Sequence, residues 1–193
     1  MNSGFLFAVL MIAAIPISVM AGSIEGQISG VSGQSVVYVD AIPGKTFPPS
    51  SQHFLMGQQG LAFRPHILAV PVGATVDFQN NDNVQHNIFW PSISGNKKLG
   101  HNLGTWPKGD KRSFKFDQAG VVPLLCNVHA EMSGFIVVSP TPYFAETDSS
   151  GFYKIENVPD GKYKVVAWHE GAKPETKPVD VAGTSKADFT LSK

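Results

Sequence analysis

The sequence predicts an all-β protein of sandwich type, and three observations predict it. Glycine and proline are abundant, 19 and 14 of 193 residues, a composition suited to short strands joined by turns. Beyond residue 21 almost no segment carries helical periodicity. Strand-length runs, alternating or continuously apolar, recur instead, each bounded by a turn signal.

The elements follow in order. Phe5 to Ala21 is uncharged and mostly apolar and ends Val19-Met20-Ala21 before Gly22. Small residues at Val19 and Ala21 fit a signal-peptidase site, the run is short for a membrane span, and Pro16 opposes a stable spanning helix. No Lys or Arg precedes it, a departure from the usual export signal. Residues 1–21 are therefore expected to be a signal peptide. The protein is expected to be periplasmic or otherwise exported, with no stable membrane span after cleavage; an uncleaved anchor is the alternative. Ile67 to Val72 reads as an apolar strand, and Thr75-Val76-Asp77-Phe78 and Ser113-Phe114-Lys115-Phe116 alternate. Val121 to Leu125 and Phe135 to Val138 read as buried strands. Gly73, Asn80-Asn81-Asp82, Lys108-Gly109-Asp110 and Gln118-Ala119-Gly120 are the turns between them.

Formal net charge is zero, from 15 basic and 15 acidic residues, so no global field favours nucleic acid or an anionic membrane as a partner. Cys126 is the only cysteine. In an oxidising compartment it has no intramolecular disulfide partner and needs another explanation. Cys126-Asn-Val-His129-Ala-Glu-Met132 offers one: a thiolate, an imidazole and a thioether within seven positions. His86, in Asp82-Asn-Val-Gln-His86-Asn87, is the fourth candidate. Two His, one Cys and a weak axial Met make a set suited to blue copper and single-electron transfer. A buried free cysteine acting as a small hydrophobe is the plainer alternative.

The residues now carry a resemblance. Phe63 to Asp82 with His86-Asn87, and Ala119 to Val138 with its Cys-x2-His-x2-Met loop, resemble the cupredoxin pattern of plastocyanin and amicyanin over roughly residues 53–140. Leu124 stands where an aromatic is common in that family, with Pro123 before it. Thr147 to His169, alternating around Pro159-Asp160-Gly161, resembles the carboxypeptidase-regulatory, transthyretin-like sandwich, and Ser23 to Val39 resembles that fold's first two strands. The resemblance implies a Greek-key cupredoxin sandwich, residues 53–140, beside a small sandwich of residues 23–52 and 141–193. The first is then inserted in the second, or the two are consecutive domains with an extra N-terminal strand. It further implies one type 1 copper bound by His86, Cys126, His129 and Met132, with His129 showing its ring edge in an apolar patch with Val128 and Ala130. A redox partner is expected to dock there.

Other candidates are weaker. Asn87 is placed to bond across to the ligand loop and to reach the Cys126 sulfur, or is an ordinary turn residue. Glu131 is expected in solvent, His66 and His169 as structural, His101 in a Gly-rich loop, His53 without a partner and Met56 in packing. Lys97, Lys98, Lys108, Lys111, Arg112 and Lys115 could steer an acidic partner, but a solvated β-edge is the better expectation. Tyr153, Tyr163 and Trp168 are expected in packing. The leading function is an exported electron carrier, not an enzyme. The alternatives are a copper carrier or sensor, and a surface-binding module with structural copper.

Overall fold

The computed structural model describes residues 21–193. The expected signal peptide, apart from Ala21, lies outside the described residues. Two strands come first among the described residues, β1 (Ala21–Ser29) and β2 (Ser35–Val39). Then come β3 (His53–Gln58), β4 (Phe63–Arg64), β5 (Ile67–Pro71), β6 (Thr75–Asn80) and β7 (His86–Trp90). After a 3-10 turn at Lys97–Leu99 follow β8 (His101–Trp106), β9 (Lys111–Lys115), β10 (Gly120–Leu125) and β11 (Ser133–Ser139). The last six are β12 (Phe144–Glu146), β13 (Phe152–Pro159), β14 (Gly161–His169), β15 (Glu175–Val181), β16 (Thr184–Lys186) and β17 (Phe189–Thr190). The all-β expectation holds. The five strands read between residues 67 and 138 are β5, β6, β9, β10 and β11.

Among the described residues, four sheets form two sandwiches. One pairs the sheet β5-β11-β10-β7-β8 with β4-β3-β6-β9 around Trp90, Trp106, Phe78, Phe116 and their neighbours. The other pairs β13-β1-β16, with β17 also on β1, against β12-β2-β14-β15 around Ile24, Tyr153, Val165 and Phe189. Its sheets draw on both ends of the described chain: β1 pairs with β13 and β16, and β2 with β12 and β14. Gly73 turns the chain between β5 and β6 at φ +86, and a Cβ there would sit 2.5 Å from the Pro49 side chain. Both constraints require glycine at this position.

The continuously apolar strands have a physical reason. Side chains alternate between faces along a strand, so an unbroken apolar run has both faces buried. On β5, Leu68 and Val70 face the first sandwich core while Ile67 and Ala69 face a third cluster with Val36, Val137 and Trp168. On β11, Ile136 and Val138 point inward while Phe135 and Val137 join that third cluster. On β2, Val37 and Val39 enter the second core while Val36 and Tyr38 face the first sandwich. Sheet therefore packs on sheet between the sandwiches. The edge of β5 is closed by Glu146, whose Oε1 accepts from Ala69 N at 2.7 Å and whose Oε2 accepts from Gln34 Nε2 at 2.7 Å.

β9, an edge strand of the facing sheet, carries Lys111, Arg112 and Lys115, all exposed. That is the solvated edge expected of part of the basic cluster. Asp77 on the neighbouring β6 accepts from Ser113 Oγ and, at 3.1 Å, from Lys111 Nζ, with His53 Nδ1 at 3.3 Å. His53 thus has a partner, contrary to expectation, because β3 runs parallel to β6 and sets it beside this carboxylate. The Ser113 hydroxyl is the main cause holding Asp77 below its ordinary pKa, opposed by burial and reinforced by Lys111 and His53.

Two predictions follow from this architecture. Trp168, 7% exposed with its ring centroid 5.4 Å from that of Phe135, anchors the layer between the sandwiches. Trp168→Ala should lower unfolding stability by about 3 kcal/mol. Urea denaturation monitored at both sandwiches would read this as a lower midpoint, and an unmoved midpoint would remove the layer from the account. Asp77, with its lowered folded pKa, contributes stability in full above the unfolded carboxylate's pKa of about 3.9, and this is lost as pH falls through the lower folded value. Asp77→Asn should therefore flatten the acid limb below about pH 4; a limb as steep as the parent's would contradict the assignment.

Candidate metal centre

The apolar run of β10 carries Leu124 into the core with no exposure and delivers Cys126 just past the strand end, 5% exposed. Leu124 fills its core position as an aliphatic residue. The chain must then return at once, because β11 pairs antiparallel with β10, Ser133 opposite Leu125. Met132 N donates to His129 O at 3.1 Å and closes that turn. Gly134 follows where a Cβ would meet His66 O at 3.0 Å and Phe63 Cβ at 3.1 Å, so the loop end packs tightly onto β4 and the start of β5. His86 arrives from β7, the neighbour of β10 through Phe89 and Leu125.

These elements bring His86, Cys126 and His129 together, one ligating atom of each within 4.8 Å of the others. His86 Nδ1 and His129 Nδ1 stand 3.1 Å apart, and His129 Nδ1 lies 3.9 Å from Cys126 Sγ. His86 is fully buried and His129 half-buried. Met132, 1% exposed, lies in the same apolar cluster as Cys126.

Asn87 fastens the two halves of the site. Its backbone N–H points at Cys126 Sγ at 3.4 Å, and its Oδ1 accepts from Asn127 N at 3.2 Å. Its Nδ2 donates to Asn102 Oδ1 at 2.9 Å and Gly104 O at 2.7 Å. The bridging role, rather than that of a turn residue, is the one observed. On the far side of His86, Nε2 faces Asp82 Oδ2 at 2.9 Å. Burial, the largest influence on Asp82, pushes its pKa up, but hydrogen bonds from the Leu61 and Gly60 amides and from His86 outweigh it and bring the group down to about 2.

The donor set fits copper. An ionised carboxylate only accepts, so Asp82 holds a proton on His86 Nε2, and Nδ1 is the ring nitrogen that faces inward. Two ring nitrogens held about 2 Å from one ion lie about 3.3 Å apart in a tetrahedral arrangement, close to the separation seen. The set of two imidazoles and one thiolate suits copper in either oxidation state.

The remaining candidates sit elsewhere. Glu131 is exposed and Met56 is buried in the core. His101 is not in a loop but opens β8, exposed, with its ring over Trp90 and Phe114 at 5.4 and 4.9 Å between centroids. The polar, glycine-bearing sequence of β8 hid the strand. His66 is exposed and faces Glu170 Oε2 at 2.6 Å across the two sandwiches. His169 is buried and bonded to Ser32 O and Glu170 O, a structural role as expected. Tyr153, Tyr163 and Trp168 are buried in packing. Sequence reading missed Asp82, Gly60, Leu61 and Val84 as parts of the site. Asp82 was visible only as a turn residue, although its position four before His86 was available.

Comparison with known protein families gives two matches. Residues 52–139 match the family of copper binding proteins, plastocyanin/azurin family, and residues 127–192 match the carboxypeptidase regulatory-like domain. The overlap, 127–139, contains β11, which pairs in the copper-side sheet. Among solved structures, the Cu(I) form of an amicyanin point mutant is 22% identical, covering 45% of this chain and 82% of that one at a TM-score of 0.42. A purple cupredoxin from Nitrosopumilus maritimus is 27% identical, covering 44% and 98% at a TM-score of 0.40. No curated protein matches the chain. One chain thus carries a match to the copper binding proteins of the plastocyanin/azurin family over residues 52–139 and to the carboxypeptidase regulatory-like domain over residues 127–192.

Proposed function

We propose that this protein is an exported blue copper protein that carries single electrons between redox partners and is not itself an enzyme. The observation that carries the reading is the convergence of His86 Nδ1, His129 Nδ1 and Cys126 Sγ under the Asn87 amide. In this reading His86, His129 and Cys126, the last as thiolate, would hold the ion, with Met132 as a fourth and weaker donor. One bound copper ion would supply Cu(II)/Cu(I) chemistry there. The protein's contribution is rigidity: three of the four ligands are buried, and Asn87 holds both strand ends, so little movement accompanies a change of charge.

Export belongs to the same proposal, supported by the apolar run Phe5–Ala21 and the unpaired Cys126. No helix among the described residues is long and apolar enough to cross a membrane. Partner docking near His129 is supported by the surface beside it. Val128 is 49% exposed and Ala130 is exposed, while Val84 and Leu61, on the loops around Asp82, are 45% and 41% exposed. An apolar contact of this kind suits a small, transient interface. A copper-delivery role is disfavoured by the burial of His86 and Cys126, since exchangeable ligands need access.

Cu(II) added to the purified protein should give an intense visible thiolate-to-copper band, absent in Cys126→Ser. A pale spectrum with retained copper would overturn the blue-copper reading, and rapid loss of copper to a chelator would favour delivery. On the basic edge, Lys111 is paired with Asp77 and Lys115 with Asp117 at 2.9 Å. The rate of reduction by a small anionic reductant should therefore change little between low and physiological ionic strength. A steep fall with salt would instead assign the edge a steering role.

A further inference from the structure

We propose that Asp82 is a positioning residue for His86, and that its carboxylate lowers the reduction potential of the copper centre. The inference rests on the copper reading above and goes beyond the four ligands.

Three donors converge on this one carboxylate. Oδ1 accepts from Gly60 N at 2.8 Å, and Oδ2 accepts from Leu61 N at 3.0 Å and from His86 Nε2 at 2.9 Å. Gly60 and Leu61 are the central residues of the tight turn joining β3 to β4, closed by Gln59 N donating to Ala62 O at 2.9 Å. Both have positive φ, +66 and +56. Two successive left-handed residues make the turn type that matches the twist of a hairpin, and its second position ordinarily goes to glycine or asparagine. Leucine there is a local cost accepted by the structure, and the result is a pair of amides aimed at Asp82.

The carboxylate is also held from behind. Asp82 N donates to Asn80 Oδ1 at 2.9 Å. Asn80 is fully buried, and its Nδ2 donates to Val84 O at 2.8 Å and Trp106 O at 3.0 Å. Trp106 lies opposite His86 in the β7–β8 pair. The loop from Asn80 to His86 is thus tied at both ends, and the side chain of Asp82 is 17% exposed. Neither oxygen is free to rotate away from the imidazole.

The chemical consequence follows from the charge of the acceptor. A hydrogen bond from a metal-bound imidazole to an anionic oxygen raises the basicity of the ring more than one to a neutral carbonyl does. A more basic ligand stabilises the higher oxidation state, so Cu(II) gains over Cu(I) and the potential falls. The same bond fixes which ring nitrogen faces the metal, which is the positioning role.

The test is a redox titration of copper-loaded protein at pH 7, comparing the parent with Asp82→Asn. The Asn variant should favour Cu(I) by about tenfold at a fixed ambient potential, a rise of about 59 mV for one electron. Asp117→Asn removes an equal charge from an exposed residue beyond the opposite end of β10 and should leave the potential in place. An unmoved potential in Asp82→Asn, or an equal rise in both variants, overturns the proposal. A second measurement needs no variant. In the reduced, diamagnetic protein the His86 Nε2–H should give a downfield proton resonance that exchanges slowly with water, and a rapidly exchanging proton overturns the proposal even where Asp82→Asn does not fold. Failure of the parent to take up copper would overturn this inference and the proposed function together. A blue parent with no shift in Asp82→Asn would overturn this inference alone.

Discussion

The site depends on one constraint, that β7 and β10 are hydrogen-bonded neighbours whose ends stop side by side. His86 and Asn87 begin one strand and Cys126 follows the other. Asn87 exploits the adjacency twice, by its backbone N–H toward Cys126 Sγ and by its side-chain oxygen to Asn127 N. A buried sulfur is held by a donor, and a loop leaving a strand end needs an anchor. One residue meets both requirements. Without the pairing of β7 to β10, the Cys-x2-His-x2-Met segment would be a loop with one histidine and no second strand to complete the set.

Part of this was legible in the sequence because it is local. The Cys126 to Met132 spacing lies within one turn between consecutive strands, and soft donors that close together have few other uses. His86 was legible through its neighbour Asn87 and the turn before it. Asp82 was not, because its role requires the β3–β4 turn, some twenty residues earlier in the chain, to present two amides to it. No period or motif in either segment announces that meeting. The same holds for Leu61, whose exposure and positive φ are consequences of the turn rather than of its own chemistry.

Secondary structure was legible where burial wrote a pattern. The strands β5, β6, β9, β10 and β11 alternate or run apolar because one or both faces are covered. β8 is mostly exposed and polar and contains Gly104, so its pairing to β7 leaves little compositional trace. β3 is read poorly for a different reason: its parallel partner β6 lies beyond two intervening strands, and His53 at its start looks like a loop residue until Asp77 is set beside it. Continuous apolar runs in β5, β11 and β2 were also informative beyond their length. They mark strands that face two cores, and the layer between the sandwiches is their common outer side.

The pairing of β2 with β12 has a consequence for the unfolded copper side. Tyr38 and Phe144 are register partners, so the chain leaves the host sandwich and re-enters it at adjacent positions. While the host remains folded, everything between these residues is a closed loop of about a hundred residues, and such closure removes chain entropy in the manner of a cross-link, on the order of 5 kcal/mol. The sandwich built from β1, β2 and β12 to β17 then acts as a covalent-like staple on the strands between. A copper sandwich that opens locally has both ends already held for reclosure, and its ligands return to a search space that has been narrowed in advance.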